Sequence, residues 1–113
     1  MTNIPVTVAN GTSLSASVDL RFAAVAGIYM SAAWTSAFLT FQASSDGLTF
    51  SDIFNNDGTE YKLTVAAGQF VPFVPLELPG VRFLKIRSGV TGTAVNQGAD
   101  RLLTLVTREV LER

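Results

Sequence analysis

FQASSDGLTFSDIFNNDGTEY, residues 41–61, crowds two Asp-Gly pairs and five Asp or Asn side chains into one short stretch. Such a run is either a ligand loop or the corner of a sheet, and spacing bears on which. A calcium loop needs oxygen ligands at positions one, three and five, glycine at six and glutamate at twelve. With Gly58 at six, Ile53 falls at one and Thr64 at twelve; with Gly47 at six, Gln42 falls at one and Ile53 at twelve. Both registers fail. The favoured reading is two consecutive hairpin turns, at Asp46-Gly47 and Asp57-Gly58, where glycine supplies the positive φ that such turns require. A looser calcium site on Asp52, Asn55 and Asp57, completed by backbone carbonyls, is the alternative.

Outward from these turns the punctuation continues: Asn10-Gly11, Gly27, Gly68, Pro79-Gly80, Gly89, Gly92 and Gly98. Turn signals at roughly ten-residue spacing, with β-rich runs between them, mark a sandwich or barrel. The runs predict strands over 4–8, 13–20, 24–31, 36–44, 48–54, 60–66, 69–74, 81–88 and 101–111. Several alternate with the two-residue period of a half-buried strand: Leu14, Ala16 and Val18 against serines; Leu39, Phe41 and Ala43 against Thr40, Gln42 and Ser44; Leu84 and Ile86 against Lys85 and Arg87. QFVPFVPLELPG (69–80) sets Pro72, Pro75 and Pro79 in an apolar run, which predicts an edge strand or crossover, because proline cannot donate to a central ladder. The expectation is one all-β domain over residues 1–113, a jelly-roll β-sandwich of about eight antiparallel strands.

The most apolar stretch, FAAVAGIYMSAAWTSAFLTF (22–41), has the length of a membrane span. Gly27, Ser31, Thr35, Ser36 and Thr40 interrupt it and no basic residue flanks its C-terminal end, so it reads as a buried strand pair with a small-residue turn. No membrane partner and no secretory leader are expected. Hydrophobic residues make up 48% of the chain and charged residues 15%, well under the ~25% usual in soluble domains. A chain this sparsely charged is expected to cover surface in a homo-oligomer or an assembly. The net charge of −1 provides no basic stripe to displace counterions, which argues against a nucleic-acid partner.

Chemistry is thinly supplied. The chain has no histidine and no cysteine, which removes the usual general base, the usual zinc ligands and the nucleophilic triads. A glycosidase pair would have to come from Asp46, Asp52, Asp57, Glu60 and Glu77, all in or beside turns. GVTGTA (89–94) lacks the lysine of a phosphate-cradling loop. No enzyme, no cofactor and no metal are expected. The residues left as interface or ligand candidates are Trp34 and Tyr29, for a sugar-stacking or interface face, and Arg82, Lys85 and Arg87. These cations lie on one predicted strand, either solvated and paired with acids such as Asp100 or forming a seam to an acidic neighbour.

Two resemblances add to this. AWTSAFLTFQASSDGLTFSDIFNNDGTE (33–60), followed by LPGVRFLKIRSG (78–89), resembles the strand signature of discoidin-type β-sandwich domains. Trp34, Gln42, Ser44, Asp46, Gly47, Thr49, Phe50, Arg82, Phe83, Lys85, Ile86 and Arg87 carry it. In that pattern the Asp-Gly is a hairpin turn and Thr-Phe returns the next strand to the core. The chain also resembles small cysteine-free proteins of tailed phages and prophages, which share RSG (87–89) followed by AVNQGADR (94–101). These include jelly-roll decoration (cement) proteins of the capsid lattice, often trimers. That resemblance implies a virion protein made in the host cytoplasm and bound at the capsid surface. It would bridge subunits of the major capsid protein through a homo-oligomer, a trimer being favoured, with extended termini (Met1–Val8 and Val110–Arg113) or a loop as the clamp. A carbohydrate-binding module holding surface glycans on Trp34 or Tyr61 is the alternative, and a neck or tail adaptor is a third reading.

Overall fold

The computed structural model describes residues 2–21, 23–73 and 81–109. Ten strands follow in order: β1 (Thr2–Val8), β2 (Val18–Asp19), β3 (Ala23–Tyr29), β4 (Leu39–Ser44), β5 (Ser51–Asp52), β6 (Lys62–Leu63), β7 (Phe70–Pro72), β8 (Phe83–Val90), β9 (Thr93–Ala94) and β10 (Arg101–Glu109). They form two antiparallel sheets, one ordered β1-β10-β3-β7 and the other β2-β8-β4-β5, with β6 also on β4 and β9 also on β8. The first is sheet A and the second sheet B below.

The pairings are nested. β1 pairs β10, β2 pairs β8, β3 pairs β7, and β4 pairs β5 and β6. One long hairpin has been folded across two layers, which is the jelly roll. Residues 45–61, between β4 and β6, are its apex. Both expected turns stand there: Gly47 has φ 78° and Gly58 φ 89°. The β4–β5 hairpin closes over the first, and a Phe54–Glu60 bridge over the second.

The core is the apolar alternation of both sheets turned inward. Leu39 and Phe41 of β4, Leu84 and Ile86 of β8, Leu103 and Leu105 of β10, and Val25 and Ile28 of β3 are all fully buried. Phe41, Tyr61 and Phe73 form an aromatic knot with ring centroids 5.2–6.2 Å apart. Contacts of this kind add about 1 kcal/mol each beyond the area they bury. Tyr61 is therefore a core residue, and the sugar-stacking role proposed for it does not hold.

Several expectations change. The 22–41 stretch does supply two strands, β3 and β4, but they do not pair: β3 lies in sheet A and β4 in sheet B, and residues 30–38 cross between them. Among the described residues no helix is long and apolar enough to cross a membrane. At the start of 13–20 Ser15 is buried and Leu14 is not, being 36% exposed. Ser15 bonds β8 twice, its amide donating to the Ile86 carbonyl and its hydroxyl accepting from the Ile86 amide, both at 2.9 Å. That polar grip turns Leu14 outward against the hydrophobic pattern. Thr2–Val8, expected as an arm, is paired along its whole length with β10, because Val6 and Val8 point into the core. Val110–Arg113, Glu77, Pro75 and Pro79 lie outside the described residues.

A bulge marks sheet A. Val106 of β10 faces Gly27, but Thr107 faces Val25, so Ala26 is the extra residue. Its carbonyl accepts instead from the Phe73 amide at 3.0 Å.

Candidate functional site

The outer face of sheet A is built by register. Residues opposite one another on adjacent strands share a face, which gives three rows. Pro5, Thr104, Tyr29 and Phe70 form one row across all four strands; Asn3, Val106, Gly27 and Pro72 form the next; Thr7 and Leu102 begin a third. No charged side chain stands in them. Tyr29 is 51% exposed, Phe70 45% and Leu102 56%. The two rings meet at 4.6 Å with a tilt of 49°. The tip of the Phe70 ring sits over Gly27, so close that a Cβ there would come within 2.3 Å of its Cζ. Gly27, on the interior strand β3, is thus the seat of an aromatic ring from the edge strand β7. The nearest charge on this face of β10, Arg108, comes only after the bulge.

The outer face of sheet B is the opposite in character. Leu84 and Ile86 turn inward, so Lys85 and Arg87 turn outward, opposite Gln42 and Thr40; Asp52 and Lys62 extend the same rows. Arg87 is nonetheless only 8% exposed, because acids close over it. Its guanidinium donates to Asp52 Oδ1 at 2.5 Å and to Glu60 Oε2 at 3.1 Å. It also donates to the Thr91 and Thr40 hydroxyls. The Thr91 amide donates to Glu60 Oε1 at 2.9 Å. This node ties β8 to β5 and to the residue before Tyr61. Bonding to Arg87 holds the Asp52 carboxyl below its ordinary range.

The basic trio of the sequence is therefore divided among three partners. Arg82 bonds Asp19 at 2.6 Å and 3.0 Å, which holds the Asp19 carboxyl at about 2 and raises Arg82 itself. Lys85 sits 4.4 Å above the Phe50 ring, and Arg87 is internal. Asp100, the expected acid partner, accepts instead from the Asn10 amide at 2.8 Å. The division follows from geometry: Arg82 precedes β8, and Arg87 alone meets the apex acids.

The acids of the opening stretch do not assemble into a ligand set. The Asp46 carboxylate accepts from the Leu48 and Thr49 amides at 2.8 Å and 3.0 Å and from the Ser44 hydroxyl. Those bonds, the Leu48 amide first, hold it at about 2. Asp57 accepts from the Thr59 hydroxyl and amide, which lowers it likewise. Asp52 is engaged by Arg87. Among the described residues no three acids group around a metal position. The turn carried by Asp46 presents Leu48, which is 86% exposed.

Trp34 lies in the crossover between the sheets, partly buried against the core, and its indole donates to the Ala37 carbonyl at 3.2 Å. The residue that fixes this crossover was not singled out from sequence: Gln97, 1% exposed. Its amide oxygen accepts from the Thr35 amide at 2.8 Å, and its nitrogen donates to the Thr35 carbonyl and the Ser88 hydroxyl. Arg101 reinforces both Gln97 and Thr35. Ser88, Gln97 and Arg101 all belong to the RSG…AVNQGADR phrase, so that phrase encodes a lock between β8, the crossover and β10. Near it a groove of about 490 Å³ is lined by Phe38, Val65, Val90 and Val95 among others, with no titratable side chain in its wall. Lys62 stands 4.3 Å above the Phe38 ring.

Compared with known proteins, the chain matches no family model, no curated protein and no solved structure.

Proposed function

We propose that the chain is a non-enzymatic structural subunit of a phage virion, an oligomeric decoration (cement) protein made in the host cytoplasm that bridges capsid subunits at the capsid surface. One observation supports this reading above the others. The ionised side chains of the apex and of sheet B are engaged within the fold, while apolar groups are left in water on sheet A and at Leu48. Surfaces of this kind serve contact and not chemistry. The strand phrase and the RSG…AVNQGADR phrase supply the link to virion proteins. Bridging needs only weak individual contacts, because attachment at several points multiplies their effect.

A sugar-binding reading has the exposed Tyr29–Phe70 pair in its favour, although the 49° tilt denies it one flat platform. The test is co-sedimentation of the purified chain with assembled capsids of its phage. Saturable binding at a fixed ratio to the major capsid protein, kept by Tyr29→Ala, supports decoration. Binding at a single vertex supports the neck or tail adaptor, and glycan binding lost on Tyr29→Ala supports the sugar module.

A further inference from the structure

We infer that the outer face of sheet A is the seam between two copies of the chain, packed sheet against sheet. The inference rests on the reading above, in which copies associate, and names the surface that joins them.

Three observations select this occupant. The first is charge. Across the rows of Tyr29, Phe70, Leu102 and Val106 no ionised group is available, so a partner with charged side chains would bury them unpaired, at a cost of several kcal/mol each. The matching occupant must be equally uncharged, and a second copy of this face is such a surface. The second is the edges. Sheet A ends on β1 at one side and β7 at the other, and each carries a proline, Pro5 and Pro72, where an added strand would need a donor. Copies therefore do not extend the sheet edge to edge, and the face is what remains. The third is size. Two rows across four strands and a third across two, with strands about 4.8 Å and rows about 6.8 Å apart, make a face of roughly 330 Å². A stable dimer needs about 800 Å² from each partner. The pair is thus a weak one, fit to form at high local concentration.

The geometry is that of the molecule's own interior. Two twisted sheets stack about 10 Å apart with their strands about 30° off parallel. The same patch is used on both copies, so the contact closes on a twofold axis. That differs from the threefold ring implied by the phage resemblance.

Sedimentation velocity of the full chain, from micromolar to millimolar, tests the seam. The expected result is a concentration-dependent monomer–dimer equilibrium, weakened at least tenfold by Leu102→Lys and by Val106→Lys and unchanged by Lys85→Glu on sheet B. Circular dichroism on each variant confirms that the fold is kept. A wild type that stays monomeric throughout overturns the seam, as do lysine variants that associate normally. It is also overturned if Leu102→Lys abolishes capsid binding while leaving self-association intact, which assigns the face to the capsid. Glycan binding lost on Tyr29→Ala with self-association intact overturns it as well, in favour of a sugar. Self-association through this face by a chain that ignores capsids supports the seam and sinks the virion reading alone.

Discussion

The two outer faces of this sandwich are made of the same material, antiparallel strands with alternating side chains, and carry opposite surfaces. On sheet B the outward rows hold Lys85, Arg87, Asp52 and Lys62; Arg87 is answered by Asp52 and Glu60, and the two lysines sit over aromatic rings. On sheet A the corresponding rows hold Thr104, Tyr29, Phe70, Val106 and Leu102, and no charge. The fold needs only the inner faces to be apolar, so it leaves both outer faces free. The difference therefore teaches about the surface and not about folding: one face holds its charges in internal bracing, the other leaves apolar side chains exposed.

The largest expected effect breaks the bracing. Arg87→Met leaves Asp52 and Glu60 facing each other without their cation, and should cost about 3 kcal/mol in urea denaturation. Next comes acid. Asp19 and Asp46 are held at about 2, and Asp52 and Asp57 are also lowered. Carboxylates depressed in the folded state stabilise it above their unfolded pKa and lose that contribution as the pH falls toward the folded value. The melting temperature should hold down to about pH 4 and fall between there and about pH 2. Asp46→Asn should flatten its share of that fall, while Val106→Lys should leave the acid limb untouched, since sheet A's face holds none of these groups. A smaller effect probes the aromatic seat. Gly27→Ala forces the Phe70 ring aside and should cost about 1 kcal/mol, most of it recovered when Phe70→Ala is added, as a double-mutant cycle would show. Smallest of all, Val106→Lys alone should change stability by no more than about 0.5 kcal/mol. A charge removed from one face is thus costly to the fold, and a charge added to the other changes only association.

Much of the fold was legible in residues that speak locally. Asp46-Gly47 and Asp57-Gly58 named their turns because the conformation they need is a property of the residue pair. Leu84 and Ile86, or Leu39 and Phe41, named their inward face because a strand has a period of two. Pro72 marked an edge strand because proline lacks a donor. The failures have a common cause. Ser15 is buried against the pattern because the Ile86 backbone, far along the chain, accepts and donates there. Gln97 gave no signal at all, since an amide is ordinary until Thr35, Ser88 and Arg101 surround it. Gly92 marked a turn, but the short β9 after it carried no strand signal, because two residues are too few to show a period.

By itself, then, the sequence determined that this chain is a β-sandwich, where its turns fall, and that it holds neither histidine nor cysteine. Only the tertiary structure decided that Arg82, Lys85 and Arg87 part company, that Tyr61 is core while Tyr29 is surface, and that the rows of Tyr29 and Val106 share one uncharged patch. Turn chemistry and strand period act between neighbours in the chain. Charge pairing, burial and the sharing of a face depend on which strands the long hairpin brings together, and that nesting is a property of the whole.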